Sequence, residues 1–497
     1  YRDRSTPAPQ WSTDMKPFSA RFPLFLFTAA TWFALLPLSA QGQVRGFQPA
    51  DYFDLVSVSN VAMAPSGDRV AFSATFVVEE DNGRRSEIWI QDLQDGLPSG
   101  EPRRLTSPTD NASGPVWSPD GSLLAFSSRR GDDPNTVWFL RMDGSGGEGF
   151  HIPGVEGMPT WSPDGQWIAF LKRPDPEEEP GPRAGWIAPD AITNTLSAER
   201  FDGRVITSMR YKRDGVLSFR PHFSTQGKRQ VFVVPATGGE ARQVTFMEFN
   251  VGNPVWAPDS QTLLFSGNEF EDDEGQRELT GDLWAVPMAG GTVRRLTQNP
   301  GSESSPALGP QGTRLAFLST PARGEETDLL LVNIGADGAF RGQPVNLTED
   351  WDLRPGSPVW SADGTSIRFQ AGIGGNRHLF RVPVAGGAVE QVTVGERQLG
   401  GFSFSDDDAL VAFTATDAVT PTELYVGTGD GTAERRATGF NDGLLDRVTL
   451  RSPERLTWEV EGGIEVEGWL VPPVDFTPGG SYPMILKIHG GPHSAYG

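Results

Sequence analysis

The sequence predicts a mainly β fold: a seven-bladed β-propeller over residues 45–440, followed by a differently patterned segment over 441–497. Three observations carry this. A turn cassette recurs along most of the chain, a second strand-and-turn unit follows each copy, and both patterns stop after Thr438.

The cassette reads Ala64-Pro65-Ser66-Gly67, Trp117-Ser118-Pro119-Asp120-Gly121, Trp161-Ser162-Pro163-Asp164-Gly165 and Trp256-Ala257-Pro258-Asp259-Ser260. It returns at Gly309–Gly312, at Trp360-Ser361-Ala362-Asp363-Gly364 and, in worn form, at Phe404–Asp408. Serine, proline, aspartate and glycine in that order suit a type I β-turn. A strand-like run with a central aromatic follows, as in Leu124-Ala125-Phe126 and Leu315-Ala316-Phe317. Each copy is therefore a hairpin.

The second unit begins with a strand such as Ile88-Trp89-Ile90, Leu283-Trp284-Ala285 or Leu424-Tyr425-Val426. It continues through a Gly-rich turn, as at Gly238-Gly239, Gly290-Gly291 and Gly386-Gly387. Most copies end on an apolar residue and threonine, from Leu105-Thr106 to Val392-Thr393. Four short strands repeated seven times describe a propeller. The cassettes lie 44–54 residues apart except for one interval of 95. One second unit, Val231–Thr245, falls in that interval, so residues 172–230 read as an insertion in the third blade; an eighth blade built on the degenerate turn Tyr211–Gly215 is the alternative. A tryptophan repeated once per blade reads as packing between blades rather than a ligand cage.

The 59 glycines and 41 prolines suit a turn-rich fold. The net charge of −22 argues against nucleic acid, which needs a basic stripe. The absence of cysteine excludes disulfides and thiolate chemistry. The Asp-rich turns lack the oxygen-ligand spacing of a calcium loop, so no metal is expected, and no cofactor is either. The acidic loop Asp175–Glu179 in the insertion reads as solvated charge, with capture of a cationic substrate terminus as the functional alternative.

Met15, Lys16 and Arg21 precede the apolar run Leu24–Leu36 and then Pro37-Leu38-Ser39-Ala40. That is the layout of a signal peptide over 15–40, cleaved after Ala40. The run is short for a membrane span, although an uncleaved anchor is the alternative. The expectation is a secreted or periplasmic protein with no stable membrane insertion after cleavage. Residues 1–14 precede the start-like methionine and read as an upstream or non-native extension.

Past the linker-like Asn441-Asp442-Gly443, strands are expected at Arg455–Val460, Ile464–Val471 and Met484–Ile488, the last a nearly continuous apolar run suited to a sheet buried on both faces. It leads into His489-Gly490-Gly491-Pro492. The stretch Trp458–Pro472 with Ser481–Gly497 resembles the start of the α/β-hydrolase domain in the prolyl oligopeptidase family of serine peptidases, in its acylaminoacyl-peptidase and dipeptidyl-peptidase-like branch. A propeller placed before the hydrolase is that family's domain order, so the resemblance covers roughly residues 45–497. It implies that 441–497 is the N-terminal part of the peptidase domain, truncated.

Two glycines after a strand let backbone N–H groups face a tetrahedral oxyanion. The resemblance implies Gly491, beside Gly490, as an oxyanion-hole donor, with His489 ordering the loop. No Gly-x-Ser-x-Gly elbow occurs, so the catalytic Ser, Asp and His are expected beyond Gly497, and this chain alone is expected to be inactive. His151, His222 and His378 are scattered and form no site; the family's base comes from the far C-terminus, which also sets aside His493. The implied function is a serine peptidase acting on short peptides through an acyl-enzyme, with the propeller gating access. The alternatives are a non-catalytic periplasmic scaffold resembling TolB and an esterase on the same fold.

Overall fold

The computed structural model describes residues 45–131, 135–144, 147–174, 228–269, 280–322, 324–488 and 490. They fold almost entirely as antiparallel β-sheet, in seven successive modules. The first comprises Val56–Met63, Arg69–Val78, Gly83–Gln94 and Leu97–Arg104. The second has Asn111–Trp117, Leu123–Arg129 and Thr136–Arg141, with a lone bridge from Phe139 to Phe150 in place of a fourth strand. The third is Thr160–Trp161, Trp167–Lys172, Gln230–Pro235 and Arg242–Gln243. Lys172 pairs with Gln230, so residues 175–227, which lie outside the described ones, leave and rejoin the same hairpin.

The fourth module is Val251–Trp256, Thr262–Glu269, Thr280–Pro287 and Arg294–Arg295; the fifth is Ser302–Leu308, Arg314–Thr320, Asp328–Ile334 and Phe340–Asn346. The sixth is Val359–Trp360, Ser366–Ile373, Asn376–Pro383 and Glu390–Gln391; the seventh is Gln398–Phe404, Leu410–Thr416, Glu423–Thr428 and Arg435–Arg436. Within each, neighbouring strands follow chain order.

The cassettes are the turns between first and second strands. In the second module the Gly121 N–H donates to the Ser118 carbonyl (2.9 Å), and Gly121 sits at φ +68°, a conformation glycine reaches without strain. The serine adds a lock that the turn type alone does not predict. Ser118 Oγ donates to Asp120 Oδ1 (2.6 Å) and accepts from the Leu123 N–H (2.9 Å). Ser162–Asp164, Ser361–Asp363 and Ser405–Asp407 repeat it. These bonds hold the four aspartates below the usual carboxylate range.

The central aromatics of the second strands, from Phe72 through Phe126, Phe170, Phe265, Phe317 and Phe369 to Phe413, are fully buried. Three tryptophans do clamp neighbouring modules. The indole N–H groups of Trp117, Trp256 and Trp360 donate to the carbonyls of Ala62, Thr160 and Ala307 in the preceding module, at 2.8–2.9 Å.

The closing threonines have a shared task. Thr106, Thr245, Thr297, Thr348, Thr393 and Thr438 each accept, through Oγ1, the N–H of the first buried aliphatic residue of the third strand. In three modules the hydroxyl then donates to a carboxylate one residue earlier: Thr297 to Asp282, Thr348 to Asp328 and Thr438 to Glu423. Such groups stay buried at low cost because they satisfy one another.

The last module packs against the first. Asn441 is fully buried, and its side chain accepts from the Val56 N–H (3.0 Å) and donates to the Val56 carbonyl (2.9 Å). Glu423 accepts from its amide and side chain, each at 3.0 Å. The sequence reading of Asn441–Gly443 as a linker turn is thus corrected: Asn441 is a latch between the ends of the repeat, and a short helix, Asp442–Leu445, follows it.

Candidate catalytic segment

The chain enters and leaves the modules side by side. Arg45–Gly46 pairs in parallel with Val448–Thr449. Arg45 reaches both oxygens of Asp51 at 2.7 Å, and the Gln48 N–H donates to the same carboxylate at 2.6 Å. The Arg45 hydrogen bond is the main cause that lowers the Asp51 pKa to about 2. Arg447 pairs with Asp54 close by.

From there the chain forms a two-stranded hairpin, Glu454–Val460 with Ile464–Leu470. Gly462 and Gly463 turn at positive φ, as the glycine pair in the sequence requires. Trp469 rests on the turn between the second and third strands of the sixth module. Gly375 lies at φ +77°, and a Cβ there would come within 2.5 Å of the indole. Arg455 pairs with Glu467 across the hairpin. Arg451, ahead of the hairpin, donates to the Val474 carbonyl after it (2.9 Å); further on, Phe476 packs on Tyr482, and the Thr477 N–H donates to the Tyr482 hydroxyl (2.8 Å).

The third expected strand does not form. Met484–Ile488 joins no ladder, and Met484, Ile485, Leu486 and Ile488 are 74–94% exposed. The apolar run has the composition of a buried strand, but a strand is defined by a neighbour, and among the described residues none lies alongside it. Gly490 follows, exposed, with open space where a Cβ would be. His489 and Gly491 lie outside the described residues, as do His222, His493 and Asp175–Glu179.

The two described histidines are apart in role. His151 Nδ1 lies 2.8 Å from the Val137 carbonyl, which makes that nitrogen the donor, and its ring packs at a tilt against Trp138. His378 is buried with Nδ1 3.3 Å from Thr393 Oγ1, and burial pushes its pKa down. Neither bond is to a serine or a carboxylate. Among the described residues no group of three or more His, Cys, Asp or Glu side chains could hold a metal ion, and no helix is long and apolar enough to cross a membrane.

Sequence reasoning missed the carboxylate–threonine pairs. The signal was available: Asp282, Asp328 and Glu423 each stand immediately before the first buried aliphatic residue of the third strand, the residue whose N–H the closing threonine accepts.

A mainly β repeat that hands over to an exposed hairpin defines the class, a propeller-type protein with an appended β segment, and the fold likenesses agree. The acylaminoacyl peptidase bound to a chloromethyl ketone superposes with a TM-score of 0.62 at 17% identity, covering 90% of this chain and 62% of that one. The propeller domain of the Pyrococcus furiosus trilobed protease superposes at 0.51 and 15% identity, covering 78% of this chain and 99% of that one. By sequence, the chain is 27% identical to the peptidase YuxL of Bacillus subtilis over 475 residues, covering 90% of this chain and 66% of that protein. It is 25% identical to dipeptidyl-peptidase 5 of Porphyromonas gingivalis, covering 93% of this chain and 66% of that protein. No family model matches. The chain is thus a relative of these two peptidases, and it spans just under two thirds of the length of each.

Proposed function

We propose that the seven modules are the blades of a seven-bladed propeller, and that Arg455–Gly497 opens the α/β-hydrolase domain of a secreted or periplasmic serine peptidase. The observation that carries the reading is the relationship to two peptidases over at least 90% of this chain, with a strand-like apolar run leading into His489-Gly490-Gly491-Pro492 at its end. The exposed apolar residues of 454–488 support it. Leu456, Trp458 and Ile464 on the hairpin, and Met484, Ile485 and Ile488 after it, are exposed apolar residues of the kind that a covering layer would bury.

In this reading the Gly491 amide, beside Gly490, donates to the oxyanion of the tetrahedral intermediate, and His489 orders the loop. A single donor of this kind is worth about 3 kcal/mol of transition-state stabilisation. The nucleophile, acid and base come from the third of the relatives' length that this chain does not span, and the propeller limits access to short peptides.

The test is hydrolysis by the protein encoded by the full reading frame. Dipeptidyl- and acylaminoacyl-nitroanilides should be turned over, and a serine-directed phosphonylating reagent should abolish the turnover. A full-length protein that leaves both substrates intact, or one that works unimpeded by the reagent, overturns the proposal. The present chain is expected to be inactive on both.

A further inference from the structure

The seams between successive modules follow a rule with one exception. Six apolar clusters each span one seam: the first and second modules, the second and third, the third and fourth, the fourth and fifth, the fifth and sixth, and the seventh and first. The seventh cluster, Leu399, Val411, Phe413 and Ala415 with their neighbours, lies wholly within the last module. No apolar cluster of the described residues bridges the sixth and seventh modules.

The residues explain why. Four seams set a tryptophan ending one module's first strand against an alanine in the middle of the preceding module's second strand. The pairs are Trp117 with Ala71, Trp161 with Ala125, Trp256 with Ala169, and Trp360 with Ala316. Where the large residue shrinks to Leu308, the small one grows to Leu264, and the seam stays apolar. Between the sixth and seventh modules the tryptophan position holds Phe404, and the alanine position holds Arg368.

Arg368 is 5% exposed, and its guanidinium lies 3.6 Å from the centre of the Phe404 ring. It donates to the Trp360 carbonyl (2.9 Å) and to Asp408 Oδ1 (2.6 Å). Asp408 stands at the cassette's final position, glycine in five of the other six copies, at φ +57°. Its second oxygen accepts the Ala362 N–H across the seam at 2.5 Å. Three departures from the repeat thus meet at one place. A cleft opens along the same seam, lined by Asp363, Arg368 and Arg381 on one side and by Asp408 and Asp430 on the other.

We propose that Arg368, Phe404 and Asp408 form an ionic clasp that replaces the indole clamp, making the seam between the sixth and seventh modules the joint at which the repeat opens. An apolar seam is insensitive to salt, whereas an ion pair with one partly exposed partner weakens in it. Asp408 is that partner, with a side chain 23% exposed. Local opening here exposes few apolar atoms, which is the property of the low-stability parts of a fold.

Amide hydrogen exchange on the whole chain tests this, because two seams carry matched backbone bonds. The Arg377 N–H donates to the Arg397 carbonyl (3.2 Å) at the clasped seam, and the Gly281 N–H donates to the Gly301 carbonyl (3.3 Å) between the fourth and fifth modules. Arg368→Ala should speed exchange at Ala362 and Arg377 by at least about tenfold and leave Gly281 unchanged. Phe404→Trp alone should also speed it, since indole and guanidinium compete for one space. The double variant Arg368→Ala/Phe404→Trp should return to within about threefold of the parent, because it restores the pairing used elsewhere. Raising salt to about 1 M should accelerate Arg377 but not Gly281 in the parent, and should have no such effect in the double variant.

Additive effects of the two substitutions, or equal acceleration at Gly281, overturns the proposal. Should Arg368→Ala fail to fold, Arg368→Lys keeps the charge and loses the guanidinium that lies over the Phe404 ring. Faster exchange confined to Ala362 and Arg377 then supports the clasp, and parental exchange there refutes it.

Discussion

The modules and the hairpin Glu454–Val460/Ile464–Leu470 are built of the same element, yet their tryptophans have opposite fates. Trp117, Trp256 and Trp360 are at most 9% exposed, and each clamps a carbonyl of the module before it. Trp458 is 48% exposed and lies over Gly468 of its own hairpin. The difference teaches that a strand's burial here comes from the next sheet along, not from its own sequence. Repetition supplies that neighbour seven times. The hairpin rests on the Gly374–Gly375 turn through Arg455 and Trp469, and an isolated two-stranded ribbon is marginal in water.

That contrast can be broken in several places. The largest effect is expected from Trp256→Ala, which removes a clamp and leaves a cavity between the third and fourth modules. It should cost about 3–5 kcal/mol in denaturant unfolding, and a loss below about 1 kcal/mol would show that the seams are not the source of stability. Next comes Glu423→Ala at the junction of the last module with the first. It strips acceptors from Thr438 and Asn441, and it should cost about 3 kcal/mol. Exchange should accelerate at Val56, whose N–H depends on Asn441.

Trp469→Ala should cost no more than about 1 kcal/mol, because the indole is 39% exposed and rests on one turn. Increased proteolysis confined to 454–488, with the modules intact, is the expected signature. A large global loss would mean that the hairpin is integral to the repeat.

Two smaller effects are pH-dependent and of opposite sign. Glu303 is buried in a first-strand position that Val58, Ala112, Val251 and Leu399 fill in other modules. Burial pushes its pKa up, although Asn299 and Ser319 hydrogen-bond to it. An acid whose folded pKa is raised binds its proton more tightly when folded, so its contribution falls as pH rises from the unfolded carboxylate range through the folded value. Glu303→Gln should remove that decline, seen as a flatter stability profile above about pH 4. Asp51 behaves the other way. Its pKa of about 2 lies below the unfolded value, so the staple with Arg45 is fully present above about pH 4 and is lost as pH falls towards 2. Asp51→Asn should be less acid-sensitive than the parent in that window alone.

Much of the fold was legible. The Ser-Pro-Asp-Gly cassettes, the central phenylalanines and the closing threonines are local signals whose spacing recurs, and each lands in one structural role. The second module's missing fourth strand was not legible, because Gly147, Glu148 and Gly149 precede Phe150 where a strand would be and leave only a bridge. The run Met484–Ile488 misled for a related reason: apolar composition states a preference for burial but cannot provide the partner. The candidate site was legible only as the motif around Gly490, and the structure adds the parallel pairing of Arg45–Gly46 with Val448–Thr449 that sets the entry of the repeat beside its exit.

By itself, the sequence determined what repeats: turn chemistry, strand period and the identity of the buried aromatic, all set within a dozen residues of chain. The tertiary structure decided what those repeats meet. That Arg368 faces Phe404 and Asp408, that Asn441 closes on Val56, and that Trp469 settles on Gly375 are contacts between residues 36–385 positions apart or on separate sheets. No local pattern encodes them, because their energies exist only once both partners have left water together.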